Sequence, residues 1–435
     1  SISLSGLNAA SSDLEVTSNN VANVATTGFK GSRAEFADIF AASPLGTTSN
    51  AVGAGVQLAS VSQQFGQGNL EFTENTLDMA VSGEGFFVMR ANEANSGLSY
   101  TRAGAFQVDR NGLVANSAGE ILQVFPVNNA TGDVSTTSLT GTVPLQVPNT
   151  VGSPSGTTEV GLNLNLPSDA DQIAVAGIDT EFNAALAVPG STVTPSVSNY
   201  NNSTSATVFD SQGNSHILTM YFVMTSDVNN TWEVRSTMDG VPMTTGVGLS
   251  PASLDFDGAG QLDTASPDTT TGGILDFDAF DPGNGANPID LAINFTNQGN
   301  TLTQQTQGGF SVQSLSQNGF STGNLSGIEI DDSGLVRANF SNGQTTALGK
   351  VALARFDNAQ GLRQVGNTSW VETVESGPVV GGEAGTGNFG LVQTGALETS
   401  NVDLTSELVN LITAQRNFQA NSKAIETANT ITQTI

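Results

Sequence analysis

Leu404-Thr405-Ser406-Glu407-Leu408-Val409-Asn410-Leu411-Ile412-Thr413-Ala414-Gln415-Arg416-Asn417-Phe418 places large apolar residues three and four positions apart. That spacing predicts a helix with one apolar face. The stretch runs on through Ile425 to Ile435 without Gly or Pro, and Asp403 or Ser400 stands where a cap is needed. Leu404, Leu408, Leu411, Ile412, Phe418 and Ile425 are the candidate contact residues. The other end of the chain repeats the design. Between Ile2 and Val24 there is no proline and Gly6 is the only glycine, while Leu4, Leu7, Ser11, Leu14, Ser18, Val21 and Ala25 fall on one face. Leu4, Leu7, Leu14, Val21 and Val24 are its candidate contacts. At ~1.5 Å per residue the two helices reach roughly 33 and 48 Å.

Inward from both ends the period changes from three-four to two. Phe86-Phe87-Val88-Met89 predicts a buried strand, as does Lys350-Val351-Ala352-Leu353-Ala354-Arg355-Phe356. Hairpins are predicted around Asp109-Arg110-Asn111-Gly112, Asp210-Ser211-Gln212-Gly213-Asn214 and Asp331-Asp332-Ser333-Gly334. Ser43–Gly55 reads as an extended connection rich in Gly, Ser, Thr and Ala, and the glycine-dense 375–390 as a second one. Pro148–Gly156 and Gln298–Gln317 read as the neck of an inserted domain. The expected fold is mainly β with α-helical termini. The two helices would pair as a coiled-coil-like inner domain (1–27 and 399–435). Connecting segments (28–70 and 375–398) would lead to an inner antiparallel β domain (71–148 and 318–374), with an outer one (149–317) inserted in it.

Composition excludes several functions. The chain has 435 residues, 40 acids against 12 bases, and a net charge of −28. Such a chain lacks the clustered cations that hold phosphate backbones, and anionic lipid repels it. Nucleic acid is therefore not an expected partner. No run approaches the ~18 apolar residues of a membrane span, so membrane insertion is not expected either. The absence of cysteine removes disulfides, thiolate nucleophiles and Cys-type zinc sites. Ser1–Ser12 has neither the basic patch nor the apolar core of a secretory signal, so export would need another route. A start without Met and the end at Ile435 suggest a few residues missing at each terminus.

No catalytic constellation emerges, and no cofactor or metal is expected. His216 is the only histidine, in a segment that reads as a strand leaving a turn, and a general base needs a cleft and partners. Asp255-Phe256-Asp257-Gly258 through Asp263, and Asp276-Phe277-Asp278 through Asp281, look like fragments of calcium loops. They lack the ligand that Ala259 displaces and the closing bidentate Glu, so they read as turn caps. Gly381–Gly387 has no following Lys-Ser or Lys-Thr and reads as a loop. A secreted adhesin would share the β-rich, acidic, cysteine-free character, but would not need apolar stripes at both ends. Those stripes could dock on the chain's own β domains or pack between copies. Flexible connections weaken the first arrangement, and a long exposed apolar stripe marks an interface.

Asn19-Asn20-Val21-Ala22-Asn23-Val24-Ala25-Thr26-Thr27-Gly28-Phe29-Lys30 resembles the N-terminal signature of the flagellar rod and hook proteins. Physically, asparagines can hydrogen-bond the last helical turn and Gly28 permits a reversal. Ser400-Asn401-Val402-Asp403-Leu404, with Ala414-Gln415-Arg416 and Phe418 to Lys423, resembles the matching C-terminal signature. Asn19, Asn20, Asn23, Gly28, Phe29, Lys30, Asn401, Asp403, Gln415 and Arg416 are the motif residues. Val208–Asn214 and Ala384–Gly390 are similar to segments of hook members, whereas a distal rod member would be shorter and lack the insert. The resemblance implies a homo-oligomeric helical tube lined by the terminal helices, acting as a bent universal joint. It implies an extracellular location in the flagellum, reached through the flagellar export apparatus. The implied partners are the distal rod protein, a hook–filament junction protein and a hook cap protein.

Overall fold

The computed structural model describes residues 2–39, 53–91, 97–148, 153–245, 252–264, 272–296 and 303–433. Most of the expected connection from Ser43 to Gly55, namely 43–52, lies outside them. The chain divides into two compact units, one of residues 1–149, 326–339 and 345–435, the other of 150–325 and 340–344. The terminal helices belong to the first unit along with its β-sheet.

In the first unit, helix α1 (Ile2–Ala22) leads to an antiparallel pair, Ser32–Asp38 with Val56–Gln63. The main sheet has at its centre Thr345–Arg355, Ile121–Phe125, Phe86–Arg90 and Leu98–Thr101. Alternation along these strands builds two cores, because successive side chains leave opposite faces. Phe87, Met89, Leu122, Val124, Val351 and Leu353 pack on one side. Phe86, Val88, Tyr100, Phe125, Ala352 and Trp370 pack on the other. A strand buried on both faces is why Phe86–Met89 is an unbroken apolar run.

Within the glycine-dense stretch after Glu375, one part departs from the connection and loop that its composition predicts, while 384–390 is turn and irregular chain. Val380–Glu383 is a strand paired with Thr345–Arg355. A Cβ on Gly381 would stand 2.7 Å from Leu139 Cγ, and one on Gly382 would overlap the Phe389 ring. Glycine serves there to let neighbouring chain press against a strand.

Among the described residues, the second unit packs two five-stranded sheets over one core. Glu159–Pro167 centres the first sheet, and it pairs parallel to Ala292–Asn294 and Gln304–Thr306 as well as antiparallel to Ser311–Gln317. The second carries Asn202–Phe209, Ser215–Ser226 and Thr231–Met238 in antiparallel order. Leu162, Leu164, Leu166, Met220, Phe222, Trp232 and Phe295 fill the space between. Helix α2 (Ala176–Leu186), unforeseen in the sequence, lays Ile178 and Phe182 against Val223 on the second sheet's other face.

One turn recurs through both units. Asp109, Asp210, Asp257 and Asp331 each accept two backbone N–H groups on Oδ1, from the residues two and four positions on. The glycine three positions on, Gly112, Gly213, Gly260 or Gly334, has φ between +76° and +84°. The acidic stretch around Asp257 is thus held as a turn cap, and Asp281 likewise caps Gly283 N–H at 2.9 Å.

Candidate assembly surface

Helix α3 (Leu404–Gln433) lies antiparallel to α1. Gly6, near the start of α1, faces Asn421, late in α3, so closely that a Cβ would stand 2.6 Å from Asn421 Oδ1. Gly6 is the close-approach point of the pair. At the other end Asp13, Val16, Thr17 and Asn20 of α1 share a ≈ 450 Å³ cleft with Asp403, Ser406, Glu407 and Asn410. Burial there pushes the Asp13 carboxyl up.

The two helices are covered unequally. Besides α3, α1 meets the strand pair Ser32–Asp38 and Val56–Gln63, and Ala10, Thr17 and Asn20 are buried. Leu7, Leu14, Val21 and Val24 are half-buried, while Leu4 remains exposed. Among its described side chains α3 buries only Ala414 fully, with Glu407, Leu411, Asn421 and Ile425 half-buried along the same line. Beside that line Leu404, Leu408 and Ile412, four residues apart, remain 44%, 43% and 49% exposed. Val409 and Phe418 are exposed as well, as are Gln415 and Arg416. The apolar sector of α3 is therefore wider than α1 covers. Completing the burial of each half-exposed Leu or Ile would contribute about 1 kcal/mol to an interface.

Charge is distributed to match. α1 holds two acids, Asp13 and Glu15, and α3 balances Glu407 and Glu426 against Arg416 and Lys423. The two helices thus carry little of the net −28. Copies of this chain would repel one another least along them.

The motif residues near each helix fasten the pair to the sheet. Asn20 accepts Ser32 N–H at 2.8 Å and donates to Ser32 C=O at 2.7 Å, closing the reversal after α1. Asn23 Nδ2 donates to Asn19 C=O at 3.0 Å, so the asparagines do hold the last turn. Gly28 sits at φ +69°, where a Cβ would stand 2.5 Å from Ala103 N, and its N–H donates to Glu398 C=O. Phe29 is buried. Asn401 accepts Gly31 N–H at 2.9 Å and donates to Gln64 and Gly66 carbonyls. Of the two residues placed to cap α3, Asp403 does so, accepting Ser406 N–H at 2.7 Å, and this bond holds its carboxyl below the usual range.

At the centre lies a buried ionic clamp. Lys30 Nζ donates to Glu398 Oε1 at 2.6 Å and to Gly66 C=O at 2.7 Å. Arg102 donates to Glu398 Oε2 at 3.2 Å and to the carbonyls of Val81 and Gly83, with its guanidinium 5.3 Å from the centre of the Phe86 ring. Desolvation lowers the Lys30 pKa, with Glu398 opposing it. The clamp joins chain just after α1, chain just before α3, and the sheet. Glu398 and Arg102 were not foreseen: neither stands in a periodic pattern, and 368 residues separate Lys30 from Glu398.

Family models match along the chain: a flagella basal body rod protein model at residues 1–30, and a flagellar hook protein FlgE/F/G D1 domain at 80–177. A flagellar basal body protein FlaE D2 domain matches 178–320, and a flagellar basal body rod FlgEFG C-terminal model matches 393–435. The chain is 39% identical over 435 residues to the flagellar hook protein FlgE of Escherichia coli, covering 99% of this chain and 98% of that one. It is 37% identical to that of Salmonella typhimurium over 433 residues, covering 99% and 98%. It is 32% identical to that of Treponema pallidum over 471 residues, covering 99% and 97%. Among solved structures, the Helicobacter pylori flagellar hook protein FlgE2 shares the fold, with a TM-score of 0.52 at 16% identity over 76% of this chain and 100% of that one.

Proposed function

This chain belongs to the flagellar hook protein family, FlgE, and is a structural subunit of the bacterial flagellar hook; on that premise we propose how it builds the tube. α1 and α3 of each copy pack against those of its neighbours as the inner layer around a central channel. The observation that carries this is the uncharged, half-exposed apolar flank Leu404, Leu408 and Ile412, beside the single line α3 buries on α1. Heterologous contacts of one such flank with another surface generate a helix rather than a closed pair. The β units stand outside, where polar, lysine-poor surfaces let neighbours slide as the bent tube turns. The chain performs no catalysis. It travels through the flagellar export apparatus without a cleaved signal, assembles outside the cell under a hook cap protein, and joins the distal rod protein to a hook–filament junction protein.

The test is deletion of Asp403 to Ile435, followed by electron microscopy of the purified protein at high concentration. Loss of tubes is expected; tubes of normal diameter from the truncated chain would remove the inner-layer assignment. Deleting Pro148 to Gln317 should leave tubes and change their curvature.

A further inference from the structure

His216 is the chain's single histidine, the only side chain type whose ordinary pKa puts its charge change between pH 5 and 8. It opens the strand Ser215–Ser226 and is buried. Both ring nitrogens face carboxylates: Nδ1 lies 2.6 Å from Asp239 Oδ2, and Nε2 lies 3.3 Å from Asp210 Oδ2. A carboxylate only accepts, and a neutral imidazole has one N–H, so only the doubly protonated ring donates to both.

Each carboxylate is itself built into a turn. Asp210 Oδ1 takes the N–H groups of Gln212 and Asn214, and Oδ2 takes the side-chain amides of Asn214 and Asn284 at 2.9 and 2.7 Å. Asp239 Oδ1 takes Ile217 N–H at 2.8 Å, and Asp239-Gly240, at φ +52° and +84°, makes the tight turn between Thr231–Met238 and Val241–Pro242. Among the described residues, Asp210 and Asp239 are the charged groups that face the ring; the segment between Phe280 and Ile289 contributes the neutral Asn284.

The cluster stands at the root of the inserted unit. Ser155 and Phe320, near the two ends of the unit's 150–325 segment, exchange backbone hydrogen bonds of 3.0 and 2.9 Å. A Cβ on Gly213, in the Asp210 turn, would stand 2.9 Å from Pro154 Cβ and 3.2 Å from Thr322 N. Thr157 Oγ1 accepts Phe209 N–H at 2.9 Å, one residue before Asp210.

We propose that His216 is a proton-held staple: as imidazolium it ties the Asp210 turn, the Asp239 turn and the Asn284 segment at the root of the inserted unit, and loss of the proton loosens that root. Desolvation pulls the His216 pKa down, but its bonds to Asp239 and Asp210 and their charges outweigh it, and the pKa is raised above 6.5. A raised basic pKa contributes stability that is complete below pH 6.5 and lost as pH rises through the folded value. Burial pushes Asp210 up, but bonds from Asn214, Asn284 and His216 outweigh it and hold the carboxyl well below its usual range, so the acid limit lies far away.

Two measurements on the full-length monomer, kept dilute, test this. The single histidine gives one imidazole resonance, expected to titrate above pH 6.5. Amide exchange at Asn214, divided by that at Leu113 in the histidine-free Asp109 turn, is expected to rise by up to tenfold per pH unit through that midpoint. The ratio stays flat in His216→Gln. Titration at or below 6.5, or an equal rise in His216→Gln, overturns the staple. If His216→Gln does not fold, Asp239→Asn replaces it: a lower imidazole midpoint supports the staple, and an unchanged one removes it.

Discussion

Replacing Glu398 with glutamine keeps the shape of the side chain and removes its charge. In the native clamp this fully buried carboxylate receives Lys30 at 2.6 Å, Arg102 at 3.2 Å and Gly68 N–H at 2.8 Å. Lys30 is only 1% exposed and Arg102 5%. Two buried cations share one counter-ion, and the variant leaves both without it while adding an NH₂ among donors. Removing one partner of a buried pair costs about 3–5 kcal/mol. That corresponds to roughly two to four powers of ten in the unfolding equilibrium. The exposed pair Arg33–Glu35 sets the contrast, since pairs of that kind contribute ~0–1 kcal/mol. Trp370 lies in the first unit's core and Trp232 in the second's, so a Trp232→Phe background lets Trp370 fluorescence follow the first unit alone. Urea titration should show a lower midpoint at unchanged slope. Replacing Lys30, Arg102 and Glu398 together with methionine should cost less than Glu398→Gln alone, because no charge is then stranded. A loss under about 1 kcal/mol in Glu398→Gln would refute the reasoning, since the two cations would then have found water.

Three further outcomes are expected. Gly28→Ala puts a Cβ at φ +69° within 2.5 Å of Ala103 N, and should cost about 1–3 kcal/mol in the same urea titration. Thr368→Gly should stabilise the first unit by about 1 kcal/mol, because Asn367 and Thr368 form the hairpin turn at φ +51° and +55°, where a β-branched residue is disfavoured. Leu408→Lys, on the uncovered flank of α3, should leave monomer stability within about 0.5 kcal/mol while abolishing tubes seen by electron microscopy.

Both terminal helices were legible because their apolar spacing is long and free of Pro, and the strands because Phe86–Met89 and Lys350–Phe356 are compact apolar runs. Helix α2 was hidden: Val175 precedes it without a side-chain cap, and its eleven residues are too few for the apolar spacing to stand out. Gly381 and Gly382 misled, because glycine marks both turns and strands crossed closely by other chain, and only the Leu139 and Phe389 contacts decide which. Within the site, the motif asparagines announced helix ends, but Lys30 gave no hint of burial. Its partner Glu398 belongs to no periodic pattern, and pairing across 368 residues leaves no trace in local sequence.

The polar ties and the apolar flank act at different levels. Lys30, Glu398 and Arg102 are directional, desolvated and internal to one copy, so they hold the bases of both terminal helices in one geometry against the sheet. Leu404, Leu408 and Ile412 offer only burial, which scales with area and has no preferred direction. In the proposed packing, a neighbour on that flank would shift by a fraction of a helical turn and lose some contact area without breaking any specific pair. Such a division, rigid within the subunit and graded between subunits, would suit the flexible joint that the proposed packing builds. Directional ion pairs on that flank would instead fix one register, and Leu404, Leu408 and Ile412 carry no charge to form them.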